Sequence, residues 1–277
     1  MKMYAYLLLA VASLASEACF DPKQGCLDAA ATNFDAAADK DCCCEYPNWV
    51  LEFRQRFGTD PFDPNKVYLS TANKPFYLRG ASFYFSDFEA LRGNEVFAVP
   101  DTLTLRAFAP TGTDTLRELY QNDFALARSS GQIDSKIGRF RTDGAFDGVR
   151  FRLGLNDNAQ RVIAPLAPAG HPLAVQADSL WYGRTAGYVF AQLIVQRDTA
   201  SVNPVRDTVA FTAADIGAFF IEKKGTAFTK KVGYDFRIIL TADYQLLLDG
   251  VDWSKGDKNT WKSQVVQNLS KALSVTQ

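Results

Sequence analysis

From Trp49 onward, apolar and polar residues alternate with a period of two, and the alternation recurs along the chain. Val149, Phe151, Leu153 and Leu155 alternate with Arg150, Arg152 and Gly154, and Tyr234, Phe236 and Ile238 alternate with Asp235 and Arg237. Val189, Leu193 and Val195 form a similar run. Successive side chains of a strand point to opposite faces, so this pattern describes strands with one face buried and one in water. Further strands are expected over Lys66 to Ser70, Phe76 to Phe88, Glu95 to Val99, Thr102 to Phe108, Thr208 to Thr212 and Ala218 to Glu222. Turn signals separate them, among them Arg92-Gly93-Asn94, Pro110-Thr111-Gly112, Asp143-Gly144, Asn203-Pro204 and Lys224-Gly225. Many short strands punctuated in this way predict an all-β fold, an antiparallel β-sandwich.

One stretch follows a different period. Trp261, Val265, Val266, Leu269 and Leu273 share one side of a 3.6-residue repeat behind an N-cap at Asp257, which predicts a short C-terminal helix from about Lys258 to Leu273. Its apolar stripe is expected to pack on the sandwich. Pro165 to Pro172 is a loop stiffened by three prolines and carries His171, the only histidine. No Ser/Gly/Pro tract divides the chain after Pro47, so residues 48–277 are read as one folded domain.

All five cysteines lie in the first 44 residues, which read differently from the rest. An apolar leader, Tyr4 to Ala15, follows Lys2. It is too short to span a bilayer but has the length of an export signal. Cys19 stands directly behind it, where a bacterial lipoprotein is cut and acylated, so residues 1–18 are expected to be a lipoprotein signal peptide and Cys19 the lipidated residue. Ser16 and Glu17 depart from the usual lipobox, and ordinary cleavage after Ala18 is the competing reading. The remainder, residues 19–47, is a cysteine-rich neck. Its Cys26, Cys42, Cys43 and Cys44 are an even number in an oxidising compartment and so candidates for disulfides. A bond between neighbours in the triplet would be strained, which favours Cys26 pairing into it. Closely spaced thiolates are also zinc ligands, the alternative for the same residues. Between the cysteines, Asp28, Asn33, Asp35, Asp39 and Asp41 offer hard oxygen ligands that suit calcium, although such residues also cap turns.

About 260 residues remain behind the leader, enough for one large all-β domain. A net charge of -1 with no basic block argues against nucleic acid as a partner. No later stretch approaches the length of a membrane helix, so the membrane is expected to be met through the lipid alone. With a single imidazole clamped before Pro172 and no nucleophile-elbow signature, triad chemistry is not expected and the protein is read as non-enzymatic. Four tryptophans raise a binding role. Trp181, beside Tyr182 and Arg184 and behind the proline loop, is the candidate ligand-binding group, since exposed aromatic faces stack on sugars at loop ends.

Several segments also look familiar in combination. These are Lys66-Val67-Tyr68-Leu69, Phe76 through Phe88, Phe146 through Leu155, His171-Pro172-Leu173 leading to Ser179-Leu180-Trp181-Tyr182, Gly187-Tyr188-Val189-Phe190, and Leu248 through Trp253. In this order they resemble the MbnP-like family, exported β-sandwich proteins named for a copper-binding member that accompanies methanobactin systems. The neck resembles a segment found ahead of such domains in lipoproteins of the Bacteroidetes. The resemblance implies an outer-membrane lipoprotein, facing the periplasm or the surface, with copper as its metal and His171 as the ligand. It also implies a cell-envelope partner, a di-haem peroxidase-like protein or an outer-membrane receptor. The family's Trp-x-Trp element falls here on Tyr182 and Arg184, with Trp181 one place early, so any copper at His171 is expected to be weak. The expected function is that of a membrane-tethered binding or accessory protein. The alternative is a surface glycan- or protein-binding module with no metal role.

Overall fold

The alternating runs become two facing sheets in a computed structural model that describes residues 21–111, 113–130, 134–175, 180–197, 199–200, 204–254 and 257–277. The leader and Cys19 lie outside the described residues. The chain divides into two compact units, one ending at Tyr46 and one spanning Pro47–Gln277.

In the first unit, strands β1 (Gln24–Gly25) and β2 (Lys40–Asp41) pair in parallel. An isolated bridge joins Cys26 to Phe34. The second unit opens with β3 (Asn48–Phe57), β4 (Asp60–Pro61), β5 (Tyr68–Leu69), β6 (Pro75–Arg92), β7 (Glu95–Ala98) and β8 (Thr102–Phe108). It continues with β9 (Thr115–Gln121), β10 (Ala125–Arg128), β11 (Asp134–Arg139), β12 (Gly144–Leu153) and β13 (Ala191–Arg197). Last come β14 (Arg206–Phe211), β15 (Phe220–Lys230), β16 (Phe236–Asp243) and β17 (Leu273–Thr276). One sheet has the order β14-β13-β6-β12-β15, with β5, β7 and β10 also on β6; the other has the order β11-β3-β16-β17, with β4 on β3. Strands β8 and β9 form a separate hairpin.

β12 shows how the pattern folds. Val149, Phe151 and Leu153 are fully buried, while Arg150 and Arg152 stay half-exposed and pair with Glu89 and Asp87 on the neighbouring β6. The core gathers around Trp49, whose ring meets Phe88, Phe140 and Phe236 edge-on at 5.8, 5.1 and 4.8 Å. Edge-to-face pairs of this kind add about 0.5–1.5 kcal/mol each beyond the area they bury. Two glycines are required by close packing. A Cβ at Gly148 would strike the Lys223 carbonyl at the β12–β15 bulge, and one at Gly154, where φ is +101°, would strike the Phe190 ring.

Among the described residues the sandwich has one parallel pair, since β3 and β16 run in the same direction from Phe236 beside Trp49 to Asp243 beside Arg56. Parallel neighbours need a long crossover, and here nearly the whole domain lies between them. Tyr234, expected to point inward with Phe236 and Ile238, sits in the turn before β16 and is 68% exposed. The helix forms over Lys258–Ala272, with the Asp257 carboxylate accepting from the Asn259 amide at 3.0 Å. Trp261, Val265 and Leu269 are buried, and Leu273 opens β17 instead of closing the helix.

Candidate functional site

The proline loop is held from both sides. Ala164–Leu166 form a single 3-10 turn with Pro165 near its start, and the His171 amide donates to the Pro168 carbonyl at 3.0 Å. The hydroxyls of Tyr84, on β6, and of Tyr188, in the segment before β13, donate to the carbonyls of Pro172 and Leu173 at 3.1 and 2.7 Å. The two tyrosine rings cross edge-on at 5.7 Å. His171 is buried between these anchors. Its Nδ1 accepts from the Leu173 amide at 3.1 Å, so the proton sits on Nε2, which donates to Asn122 Oδ1 at 2.9 Å. Burial lowers its pKa to about 4, keeping the ring neutral.

Beside Asn122 lies Asp123, which the sequence did not mark. It is 1% exposed, and its Oδ2 accepts from the Phe88 amide at 3.0 Å. Burial lifts its pKa to about 8, against the opposing pull of backbone hydrogen bonds. The neighbouring bulge in β6 places Asp87 at φ +55°, where its carboxylate binds Arg152 Nε at 2.6 Å and Asn156 Nδ2 at 2.8 Å.

Trp181, Tyr182 and Arg184 each meet different partners. Trp181 packs half-buried against the core and pairs in a bridge with Tyr188, whereas Tyr182 is 52% exposed and donates its hydroxyl to Gln192 Oε1 at 3.0 Å. Arg184 lies over the Phe108 ring at 4.7 Å and donates to the Thr113 carbonyl. A linear sequence does not display which partners neighbouring residues will find.

In the neck, Cys26 is bonded to Cys44 with Cα atoms 4.9 Å apart, and the adjacent Cys42 and Cys43 are bonded to each other. The first bond follows the expected pairing of Cys26 into the triplet. The second joins the neighbours that were expected to avoid each other, because Cys26–Cys44 leaves no other partner among the four. The oxygens considered for calcium also bind the neck's own chain. Asp28 accepts from Ala30 N and from the Tyr46 hydroxyl, Asp35 from Ala37 N, Asp39 from Lys23 N and Asp41 from Leu27 N. Asn33 bridges the Cys43 carbonyl and the Glu45 amide, and Asp35 also pairs with Lys23 at 2.7 Å. Among the described residues, the group whose ligand atoms do converge is Cys26, Asp41 and Cys44, within 4.8 Å. With both sulfurs in a disulfide it presents no thiolate for zinc.

Fold and site together define an all-β sandwich protein behind a disulfide-closed neck. The model of the MbnP family matches residues 46–265, and the chain belongs to that family. Among solved structures it is similar to MbnP from Methylosinus trichosporium, at 14% identity over 82% of this chain and 97% of that one, with a TM-score of 0.48. No curated protein matches it.

Copper, which the resemblance implied, needs imidazole, thiolate or thioether donors. His171 is the sole histidine, and its one lone-pair nitrogen already accepts the Leu173 amide. The only methionines are Met1 and Met3, and the four neck cysteines are in disulfides. Among the described residues the donors at His171 fit copper poorly, and the ring's two hydrogen bonds hold the loop in place.

Proposed function

We propose that this protein is a non-enzymatic binding or accessory component of a bacterial cell envelope, exported and tethered to the outer membrane through lipid on Cys19. The observation that carries the reading is the state of His171, neutral, buried and hydrogen-bonded through both nitrogens, which leaves the chain's only imidazole unsuited to act as a general base or a copper ligand. Family membership and the oxidised neck support an extracytoplasmic setting. Its partner is an envelope protein, of which a di-haem peroxidase-like protein or an outer-membrane receptor are the kinds the resemblance suggests. The His171 geometry favours the metal-free form of this role, a glycan- or protein-binding module whose family link to copper is not exercised at this residue.

The test is a metal analysis and a Cu(I) and Cu(II) titration of purified, exported protein. Little or no stoichiometric copper is expected, with any binding no tighter than micromolar and His171→Ala changing stability more than affinity. Tight copper that survives dialysis against a chelator and is lost in His171→Ala overturns the reading. Cys19→Ser, in parallel, is expected to move the protein from membrane to soluble fractions.

A further inference from the structure

The neck's two disulfides are unequal. Cys26 is 1% exposed, and its bond to Cys44 closes a loop across 18 positions of sequence. Cys42 and Cys43 are bonded across a single peptide, with Cys42 half-buried and Cys43 exposed. Linking distant residues stabilises a fold by restricting the unfolded chain, and the effect grows with the loop closed. Linking neighbours restricts almost nothing. The small ring also goes with a Cys43 backbone at φ +58°, a left-handed conformation that residues with a Cβ seldom adopt and that costs energy to hold. Both considerations favour opening the adjacent pair first, and the exposure of Cys43 admits an attacking thiolate.

We propose that Cys42–Cys43 is a thiol-exchange site, reduced by an external dithiol while Cys26–Cys44 stays closed, so that the neck has two folded redox states. A thiolate of the dithiol attacks Cys43 Sγ, the Cys42–Cys43 bond breaks, and Cys42 leaves as a thiolate that takes up a proton. The reductant's second thiolate then attacks its own sulfur in the mixed disulfide, releases the Cys43 thiolate for protonation and leaves as an intramolecular disulfide. Two electrons and two protons pass from the dithiol to the cysteines. The change is relayed to Asn33, whose Nδ2 donates to the Cys43 carbonyl at 2.8 Å while its Oδ1 accepts from the Glu45 amide at 2.9 Å. Once Cys43 leaves the left-handed region its carbonyl turns away, and this clamp is released.

The full-length exported protein is treated with increasing dithiothreitol, quenched with an alkylating agent and peptide-mapped. Cys42 and Cys43 are expected to label together at a reductant concentration about tenfold or more below that needed for Cys26 and Cys44. The amide resonances of Asn33 and Glu45 are expected to shift in that first step. In Cys43→Ser the low-reductant step disappears, Cys42 labels without reductant and the Cys26–Cys44 peptide remains linked. Labelling of all four cysteines in one step, labelling of Cys26 and Cys44 first, or labelling of Cys42 and Cys43 before any reductant is added would each overturn the proposal.

Discussion

A carboxyl group held 1% exposed, as Asp123 is, titrates late, because ionising it would place a charge where water cannot reach it. Its pKa of about 8 in the fold stands against 3.8 for a free side chain. The folded state therefore keeps the proton over a range in which the unfolded chain has lost it. The resulting stability is fully present below pH 3.8 and is lost as pH rises toward 8. Asp123→Asn keeps an oxygen acceptor for the Phe88 amide but cannot ionise. It is expected to raise stability by several kcal/mol at pH 8, on the order of 1.4 kcal/mol for each pH unit above the free value, and to change it little near pH 4. Thermal melts of both proteins across this range check the claim, and parallel pH profiles would refute it. Nothing local marks Asp123 among 31 acidic residues, because its burial depends on β6 and on the loop that carries it. His171 was conspicuous only by being unique in the sequence, and that uniqueness says nothing of the two hydrogen bonds that occupy its ring.

Elements were legible wherever one face is buried and the other wet. β8 forms over the expected Thr102 to Phe108, and the Gly93-Asn94 turn closes the β6–β7 hairpin with Arg92 opposite Glu95. β9 was not expected, since most of Thr115–Gln121 is exposed and only Tyr120 is buried, leaving little alternation to detect. β10 and β11 are short and find their partners far away in sequence, on β6 and β3. The C-terminal helix was visible from its apolar stripe, but its polar anchor was not. Asn268, 1% exposed, donates from Nδ2 to the carbonyls of Leu247 and Asp249 at 3.0 and 2.8 Å, fixing the helix to the Leu248–Trp253 segment. Asn268→Ala strands both acceptors and is expected to cost about 2–3 kcal/mol. Denaturant unfolding measures this, and a loss below about 0.5 kcal/mol would mean that water replaces the amide without penalty.

At the scale of the whole molecule, chemistry and folding are divided between the two units. Every described cysteine lies in the unit ending at Tyr46, and the sandwich from Pro47 onward contains none. The sandwich instead rests on buried aromatic surface such as the Trp49 cluster and the Trp253–Trp261 pair, whose ring centroids are 5.0 Å apart. Apolar burial is indifferent to redox conditions, whereas the Cys26–Cys44 loop closure, worth about 3 kcal/mol for a loop of this length, is not. All four tryptophans, at 49, 181, 253 and 261, belong to the sandwich, so tryptophan fluorescence reports its unfolding selectively. Full reduction is accordingly expected to leave the fluorescence-detected melting temperature of the intact protein unchanged while neck amides lose their protection from hydrogen exchange. A fluorescence transition that falls by several degrees with reductant would show that the sandwich depends on the neck's disulfides.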